Sequence, residues 1–285
     1  MTKVILVTGC STGLGIDIAV QAAKAGHRVF ATMRNLDKRA ALNEAATAAG
    51  VALDLLPLDV QSSASVQGAV DEVLARTGRI DVLINNAGAG FVRNIEQASE
   101  DEIAWVMDVN FHGVARCTKA VLPHMRAQGA GHVVTISSVG GLVGQPFNEI
   151  YCAAKFAVEG FMESLASYVT PAFGIRFSVV EPGGITTAFA DNVMRQVACT
   201  GGILEDAYKP ILMKYIGGSE GRRDTGIYQT GAEVAAVVMG VIEAETPPLR
   251  IRTSDWAEAF CALKTDPDPD GLKIGQQVYD QFLAD

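Results

Sequence analysis

The sequence predicts an α/β fold in which helices cover both faces of a doubly wound parallel sheet of about seven strands. Short apolar runs alternate with stretches of helical length over the first 183 residues, as in a chain that winds back and forth across one sheet. The runs are continuously apolar, which is typical of strands buried on both faces. With 285 residues, of which 49% are apolar, the chain can bury a large core.

The predicted strands follow one another along the chain, with a helical pattern between most pairs. The strands lie at residues 4–7, 28–31, 52–58, 82–85, 132–136 and 175–180, with a last strand at 249–252. The helical patterns cover residues 15–24, 65–77, 100–127, 149–171 and 232–245, with a final helix at 272–282 in a C-terminal extension at 254–285. No linker divides the chain, so we expect one domain over residues 1–285.

The region after the sixth strand interrupts this alternation. About 45 residues separate Gly183 from the next strong helical pattern, and a segment this long in a compact domain is usually functional or mobile. Within it we expect a short amphipathic helix at 203–216. The pairs Gly201-Gly202 and Gly217-Gly218 flank that helix and are candidate hinges.

Composition excludes several classes of function. The formal net charge is −9 and no stretch concentrates Lys and Arg, so we expect no nucleic-acid partner. No apolar run approaches the ~20 residues of a membrane-spanning helix, so we expect no membrane insertion. The five scattered cysteines form no Cys-x-x-Cys pair, which favours free thiols in a reducing cytoplasm. The four histidines lack metal-ligand spacing, so we expect no metal site.

A glycine-rich turn, Gly-x-x-x-Gly-x-Gly, follows the first strand and precedes a helix. Glycines let a backbone turn tightly and approach a pyrophosphate, and the helix N-terminus supplies unpaired N–H groups and a positive dipole end. Such a turn by itself can also be a plain connection, but its place after an N-terminal strand favours a nucleotide site. The candidate contacts in this turn are Gly9, Ser11, Thr12, Gly13, Leu14 and Gly15.

Four polar residues form a candidate catalytic group. Tyr151 and Lys155 are four residues apart on a predicted helix and therefore share one face. An ammonium within about 4–6 Å favours tyrosinate, so we expect Lys155 to lower the pKa of Tyr151. Ser138 lies at the carboxyl end of the fifth strand, where ligands bind in open α/β sheets. Asn110 interrupts a helical pattern, and either opens the helix locally, holding a water, or satisfies buried backbone.

In order and spacing, Asn110, Ser138, Tyr151 and Lys155 resemble the catalytic tetrad of the short-chain dehydrogenase/reductase family, and the glycine turn has the form of its cofactor turn. The resemblance covers about residues 3–190. It implies a Rossmann-like fold, a nicotinamide cofactor and an alcohol–carbonyl reaction. It also implies assembly as a homodimer or homotetramer through the helices at 100–127 and 149–171.

The resemblance also implies further cofactor contacts. Asp59 and Val60 would lie beside the adenine, although Asp59 taken alone could equally be a helix cap. The segment Asn86, Ala87 and Gly88 would contact the adenine ribose and brace the strands. The turn that follows Glu181, an unusual charge at a strand end, would hold the nicotinamide. Its contacts would come from Pro182, Gly183, Ile185 and Thr187, and Tyr151 and Lys155 would hold the cofactor as well.

The end of the second strand bears on the choice of nucleotide. An NAD-selective site places Asp or Glu there to bind the ribose 2′-hydroxyl, whereas this chain has Met33 followed by Arg34. Because Arg pairs with a 2′-phosphate, we favour NADP(H) over NAD(H); the alternative is that Arg34 is an ordinary solvated charge. Together with Cys10-Ser11-Thr12 and Val139-Gly140-Gly141, Arg34 is most similar to the branch with 17β-hydroxysteroid and retinol dehydrogenases.

The mechanism that the resemblance implies uses NADPH as hydride donor and Tyr151 as acid, with Ser138 polarising the oxygen and Asn110 positioning a water. The insert at about 188–229 would form a lid over a small-molecule substrate. Its apolar residues indicate a bulky hydrophobic ketone, aldehyde or alcohol, unless they simply pack the insert onto the core. These residues are Phe189, Val193, Met194, Ile211, Leu212 and Met213. The alternatives are an NAD-dependent alcohol dehydrogenase of the same family, a non-catalytic NADPH-binding regulator, and a lyase or epimerase.

Overall fold

Seven parallel strands form the central sheet of the structure, a computed structural model that describes residues 2–225 and 227–282. The strands in chain order are β1 (Val4–Val7), β2 (Arg28–Met33), β3 (Asp54–Pro57), β4 (Val82–Asn85), β5 (Gly131–Ile136), β6 (Ile175–Glu181), β7 (Ile185–Thr186), β8 (Gln229–Thr230) and β9 (Arg250–Arg252). The sheet has the order β3-β2-β1-β4-β5-β6-β9, and β7 pairs separately with β8. The predicted doubly wound parallel sheet is confirmed.

Helices cover both faces of this sheet. They are α1 (Leu14–Lys24), α2 (Ala40–Ala49), α3 (Ser63–Thr77), α4 (Glu100–Met107), α5 (Gly113–Gln128), α6 (Glu149–Phe173), α7 (Ala188–Cys199), α8 (Lys209–Asp224), α9 (Gly231–Glu243), α10 (Asp255–Thr265) and α11 (Leu272–Phe282). Among the described residues, no helix has the length and hydrophobicity needed to cross a membrane.

Two apolar cores lie on opposite faces of the sheet. Leu6 and Leu83 point into the core formed with α3, α5 and α6, whereas Ile5 and Ile84 point into the core formed with α1 and α9. Since successive side chains of a strand alternate between faces, a strand covered on both sides must be apolar at every position. This is why the predicted strands lacked the polar alternation of a half-exposed sheet.

The strand order reverses between β1 and β4, because the chain moves outward through β2 and β3 and then returns to the other side of β1. Such a reversal leaves a crevice at the carboxyl ends of the strands, and ligands bind there in open α/β sheets. The turns after β1, β4, β5 and β6 all open into this crevice. The topology therefore gathers segments that are far apart in the sequence.

Several predicted bounds differ from the structure. The helix expected at 100–127 is divided into α4 and α5 by a wider π-helical turn, Asp108–His112. The insert holds two helices, α7 and α8, in place of the single one expected at 203–216. The predicted hinge Gly217-Gly218 is wrong, because both residues lie inside α8. Gly201 and Gly202 do adopt the left-handed backbone, with φ of 98° and 74°, directly after α7.

Candidate active site

A cavity of about 900 Å³ occupies the crevice at the carboxyl ends of the strands. All the candidate site residues predicted from the sequence contribute to its walls. They are Gly9, Ser11, Thr12, Gly13, Leu14, Gly15, Arg34, Asp59, Val60, Asn86, Ala87, Gly88, Asn110, Ser138, Tyr151, Lys155, Pro182, Gly183, Ile185 and Thr187.

The glycine turn forms one wall of the cavity, and its glycines are required by close contacts. A Cβ atom on Gly9 would lie 2.7 Å from the Cα atom of Ala87, and one on Gly15 would lie 2.4 Å from the carbonyl oxygen of Gly9. Gly13 has φ 62° and ψ −142° and provides no side-chain cap for α1. The N–H groups at the start of α1 therefore remain available to an anion, and this cradle fits a dinucleotide pyrophosphate.

Hydrogen bonds connect this turn to the segment after β4. The Nδ2 atom of Asn86 donates to the carbonyl oxygens of Thr8 (2.8 Å) and Gly9 (3.1 Å). In return, the Thr8 hydroxyl accepts bonds from the backbone N–H groups of Asn86 and Ala87, both at 3.0 Å. Asn86 thus braces the glycine turn from the neighbouring strand.

The far end of the cavity lies beside β2, where Met33 is buried and Arg34 is exposed. Within the described parts of the chain, the Arg34 side chain has no ion-pair or hydrogen-bond partner. The described cavity walls carry three cationic side chains, Arg34, Lys155 and Lys214, and one carboxylate, Asp59. In a chain whose formal net charge is −9, this local balance favours an anionic ligand, and the donor set fits a phosphorylated dinucleotide.

Tyr151, Lys155 and Ser138 meet in the centre of the cavity. Tyr151 lies in the first turn of α6, with the Ser138 side chain close enough to influence its pKa. The Ser138 hydroxyl accepts a 3.0 Å bond from the N–H of Gly140. Lys155 is buried, and its Nζ atom donates to the carbonyl oxygen of Ile136 at 2.9 Å. This Nζ atom lies 5.7 Å from the centre of the Tyr151 ring.

Asn110 occupies the π-helical turn between α4 and α5 and is fully buried. Its Nδ2 atom donates to the carbonyl oxygens of Ala89 and Val106, both at 2.9 Å, and its Oδ1 atom accepts from the N–H of Ala89 at 3.1 Å. The two alternatives, helix opening and backbone satisfaction, therefore occur together. A Cβ atom on Gly88 would lie 3.0 Å from the Asn110 Oδ1 and 3.7 Å from the Lys155 Nζ.

Burial dominates the ionisation of the central pair. It raises the pKa of Tyr151 to about 12, and the neighbouring Ser138 hydroxyl opposes this effect only in part. Burial also lowers the pKa of Lys155 to about 8. The expected lowering of the Tyr151 pKa is therefore not found for the protein groups alone, because desolvation of the phenolate dominates and the Lys155 ammonium is directed at the Ile136 carbonyl. At neutral pH, Tyr151 keeps its proton.

The lid contributes different residues from those expected. Of the six apolar candidates, Phe189 alone lines the cavity. Met194, Ile211 and Met213 are between 45% and 56% exposed, and the others are buried away from it: Val193 and Leu212. The lid residues that do reach the cavity include several polar ones, namely Asn192, Lys214, Tyr215 and Tyr228.

The C-terminal extension supplies a wall of the cavity that was not predicted from the sequence. Trp256 and Phe260 of α10 line the cavity, with stacked rings whose centroids are 4.9 Å apart. Cβ atoms on Gly183 and Gly184 would lie 3.0 Å from Trp256 and 2.4 Å from Tyr228, respectively. Trp256 and Tyr228 therefore pack directly on the turn after Pro182. The sequence feature that could have indicated this wall is the spacing of Trp256 and Phe260, which are four residues apart and so lie on one helix face.

Polar contacts attach the insert at 188–229 to the body of the domain. Arg93 donates to the carbonyl oxygen of Thr200, and at 2.7 Å to its hydroxyl, and also pairs with Glu102 at 3.2 Å. Asn148 donates to the Tyr215 hydroxyl at 2.9 Å. These contacts connect the end of α7 and the middle of α8 to the loops that lead to α4 and α6.

The sequence matches the family model for short chain dehydrogenase over residues 3–198. The chain is 39% identical to retinol dehydrogenase 8 of Bos taurus, with 94% of this chain and 86% of the relative covered. It is 38% identical to 17-beta-hydroxysteroid dehydrogenase type 1 of Homo sapiens, with 99% and 86% covered.

Solved structures share this architecture. A short-chain dehydrogenase/reductase from Burkholderia phymatum in complex with NAD has a TM-score of 0.79 at 26% identity, covering 93% of each chain. An actinorhodin polyketide ketoreductase variant with NADPH has a TM-score of 0.73 at 30% identity, covering 88% of this chain and 96% of the other. The chain therefore belongs to the short-chain dehydrogenase family, in the branch of the retinol and 17β-hydroxysteroid dehydrogenases, and is an NAD(P)-dependent oxidoreductase that acts on CH–OH donors.

Proposed function

We propose that this enzyme uses NADP(H) in preference to NAD(H) and reduces a bulky, mainly hydrophobic ketone or aldehyde to the alcohol, or catalyses the reverse. The observation that carries the proposal is the end of β2, where Met33 is buried and an exposed Arg34 without an ion-pair partner among the described residues lines the cavity. A 2′-phosphate offers Arg34 charge-assisted hydrogen bonds. No carboxylate stands at this position to bind a 2′-hydroxyl instead.

In the proposed mechanism, the cofactor would be held by the glycine turn, Arg34, Asp59 and the turn after Pro182, and when bound it supplies the hydride. The hydroxyl groups of Ser138 and Tyr151 donate hydrogen bonds to the carbonyl oxygen of the substrate. Tyr151 then transfers its proton to that oxygen. The raised pKa keeps this proton in place at neutral pH, as a general acid requires.

Two neighbours support the proton transfer. The Lys155 ammonium lies 5.7 Å from the Tyr151 ring and stabilises the negative charge that forms on the phenol oxygen. Asn110 holds the π-helical turn beside Gly88 and Lys155, and we propose that it also positions a water for proton exchange.

The cavity walls indicate the substrate class. Trp105, Trp256, Phe260, Phe189 and Tyr228 line it, and aromatic surface favours a large apolar molecule. Relatives in the same branch are named for retinol and 17-beta-hydroxysteroids, which are molecules of this kind. The polar lid residues, including Asn192 and Lys214, would face a polar group at the other end of the substrate.

NAD-dependent alcohol oxidation is the second candidate, favoured by the similar structure that binds NAD. A non-catalytic regulator is disfavoured, because all four tetrad residues line one cavity.

We further propose a cytoplasmic enzyme, supported by five free cysteines. A homodimer or homotetramer through the helices at 100–127 (α4 and α5) and 149–171 (α6) is supported by three exposed aromatic residues of α6, namely Phe156, Tyr168 and Phe173. Light scattering of the purified enzyme tests the assembly.

The catalytic proposal is tested by Tyr151→Phe, assayed for reduction of retinaldehyde and a 17-ketosteroid with NADPH. Loss of the general acid is expected to lower kcat by roughly 10²–10⁴-fold, with the Kd for NADPH nearly unchanged. Tyr168→Phe, an exposed residue on the same helix, is the matched control and should keep full activity. A Tyr151→Phe enzyme with wild-type kcat would overturn the proposal.

A further inference from the structure

Glu181 is a carboxylate buried at the end of β6, directly before Pro182. Its side chain is 0% exposed and pairs through Oε2 with an Arg252 nitrogen at 3.2 Å. Arg252 is itself 3% exposed and also pairs with Glu258 at 2.8 Å. The other carboxylate oxygen of Glu181, Oε1, is buried and has no hydrogen-bond partner among the described residues. A buried carboxylate oxygen without a partner is costly, so this atom needs an explanation.

Two further orphan oxygens lie at the same place. The Oε1 of Glu159, on α6 one turn beyond Lys155, and the Oγ of Ser137, next to Ser138, are also buried without a partner in the described chain. Ser137 and Glu181 both influence the pKa of Glu159, which places these two side chains next to its carboxyl, although no hydrogen bond joins the Ser137 Oγ and the Glu159 Oε1. A Cβ atom on Gly141 would lie 2.7 Å from the Ser137 Oγ and 2.9 Å from the Glu159 Oε1, so one glycine covers both oxygens.

Two buried carboxylates this close cannot both be ionised without large repulsion. Burial and the charge of Glu181 raise the pKa of Glu159 well above its usual range, whereas Arg252 opposes the effect of burial on Glu181. The charge balance therefore places the proton on Glu159 and the negative charge on Glu181. The other titratable groups around the pair are Lys155, Glu163, Arg250, Arg252, Glu258 and Cys261.

We propose that Glu159 and Glu181 share one proton, and that this carboxyl–carboxylate hydrogen bond makes them positioning residues for the active site. The protonated Glu159 donates to the Oε1 of Glu181, and Ser137 donates to Glu159, which gives each orphan oxygen a partner. The bond joins three active-site segments: the strand end that carries Ser138, the helix that carries Lys155, and the turn that begins at Pro182. A proton shared between the two carboxyls holds these segments together without a second buried charge.

The direct test is infrared spectroscopy of enzyme with ¹³C-labelled glutamate at pH 7. The wild type should show the C=O stretch of a protonated carboxylic acid, and Glu159→Gln should lack it. Glu163→Gln is the matched control, because Glu163 lies one turn further along α6 and is 41% exposed in its pair with Arg250; this variant should keep the band. Absence of the band in the wild type, or its persistence in Glu159→Gln, would contradict the proposal.

Kinetics separate positioning from simple packing. Glutamine keeps the size and a donor of the neutral carboxyl, so Glu159→Gln should retain kcat within about threefold, whereas Glu159→Ala should lower it by about tenfold or more, for a lost buried hydrogen bond. Equal losses in both variants, or a Glu159→Gln enzyme that does not fold, would overturn the proposal. The kinetic readout rests on the proposed function, but the infrared readout does not. Failure of the shared-proton proposal can therefore be distinguished from failure of the proposed function.

Discussion

Replacing Arg34 with alanine is expected to remove the preference for NADPH while leaving NADH binding intact. Arg34 is exposed at the end of β2 and, within residues 2–225 and 227–282, has no other ion-pair partner that would compete for it. A hydrogen bond to a charged group contributes about 1.5–3 kcal/mol, and solvent screening favours the lower end for an exposed group. We therefore expect the Kd for NADPH to rise roughly tenfold, since 1.4 kcal/mol corresponds to one factor of ten.

The assay is a fluorescence titration of the wild type, Arg34→Ala and Arg39→Ala with both reduced cofactors. Arg39 is an exposed arginine five residues further along the chain that does not line the cavity, so its loss changes the net charge equally. It should leave both Kd values unchanged. Equal weakening of NADPH and NADH in Arg34→Ala, or no weakening at all, would refute the assignment of the 2′-phosphate to Arg34.

Three further predictions concern the glycine turn, the catalytic pair and the lid. Gly15→Ala should destabilise the fold by about 1–3 kcal/mol through overpacking and weaken NADPH binding, because its Cβ atom would lie 2.4 Å from the Gly9 oxygen. The control is Gly68→Ala, whose Cβ atom would have no other atom within 4 Å. Thermal unfolding should show that this control does not destabilise the fold. Reduction should be constant from acidic to neutral pH and fall above about pH 8, where Lys155 loses its proton; a rate that is level through pH 9 would be inconsistent with a charged Lys155. Arg93→Ala should raise the KM for the ketone by roughly tenfold, because a buried charge-assisted contact with the lid is lost, with the Kd for NADPH unchanged; a variant with wild-type KM would exclude Arg93 as a lid anchor.

The strands could be predicted closely from the sequence because the sheet is covered on both faces. Ile5 and Leu6 enter different cores, so the whole run must be apolar and is easily recognised. The glycine turn was predictable for a similar reason, since Gly9 and Gly15 have no room for a side chain. These positions carry a constraint that is local in sequence.

The substrate end of the cavity could not be predicted in the same way. An amphipathic pattern indicates which residues of α8 are apolar but does not indicate which face meets the cavity: Ile211 and Met213 are exposed, whereas Lys214 and Tyr215 line it. The contribution of Trp256 depends on how α10 returns across the turn after β6, which is a tertiary contact.

The pKa values of the buried groups also could not be predicted from the sequence pattern. The spacing of Tyr151 and Lys155 predicts proximity, and the structure places the Nζ atom 5.7 Å from the ring. The pKa of Tyr151 nevertheless rises, because burial depends on the surrounding fold. The same holds for Glu181, whose unusual place before Pro182 was visible in the sequence but whose partner, Glu159, became evident from the packing of α6 against β6.

The most direct test of the central claim is the transfer of deuterium from NADPH that carries deuterium at both C4 positions of the dihydronicotinamide to a ketone or aldehyde substrate. With retinaldehyde or a 17-ketosteroid, mass spectrometry should find one deuterium on the carbinol carbon of the product. The rate should be higher with NADPH than with NADH, and it should fall roughly 10²-fold or more in Tyr151→Phe. Product without deuterium, or a Tyr151→Phe enzyme that transfers deuterium at the wild-type rate, would contradict the account.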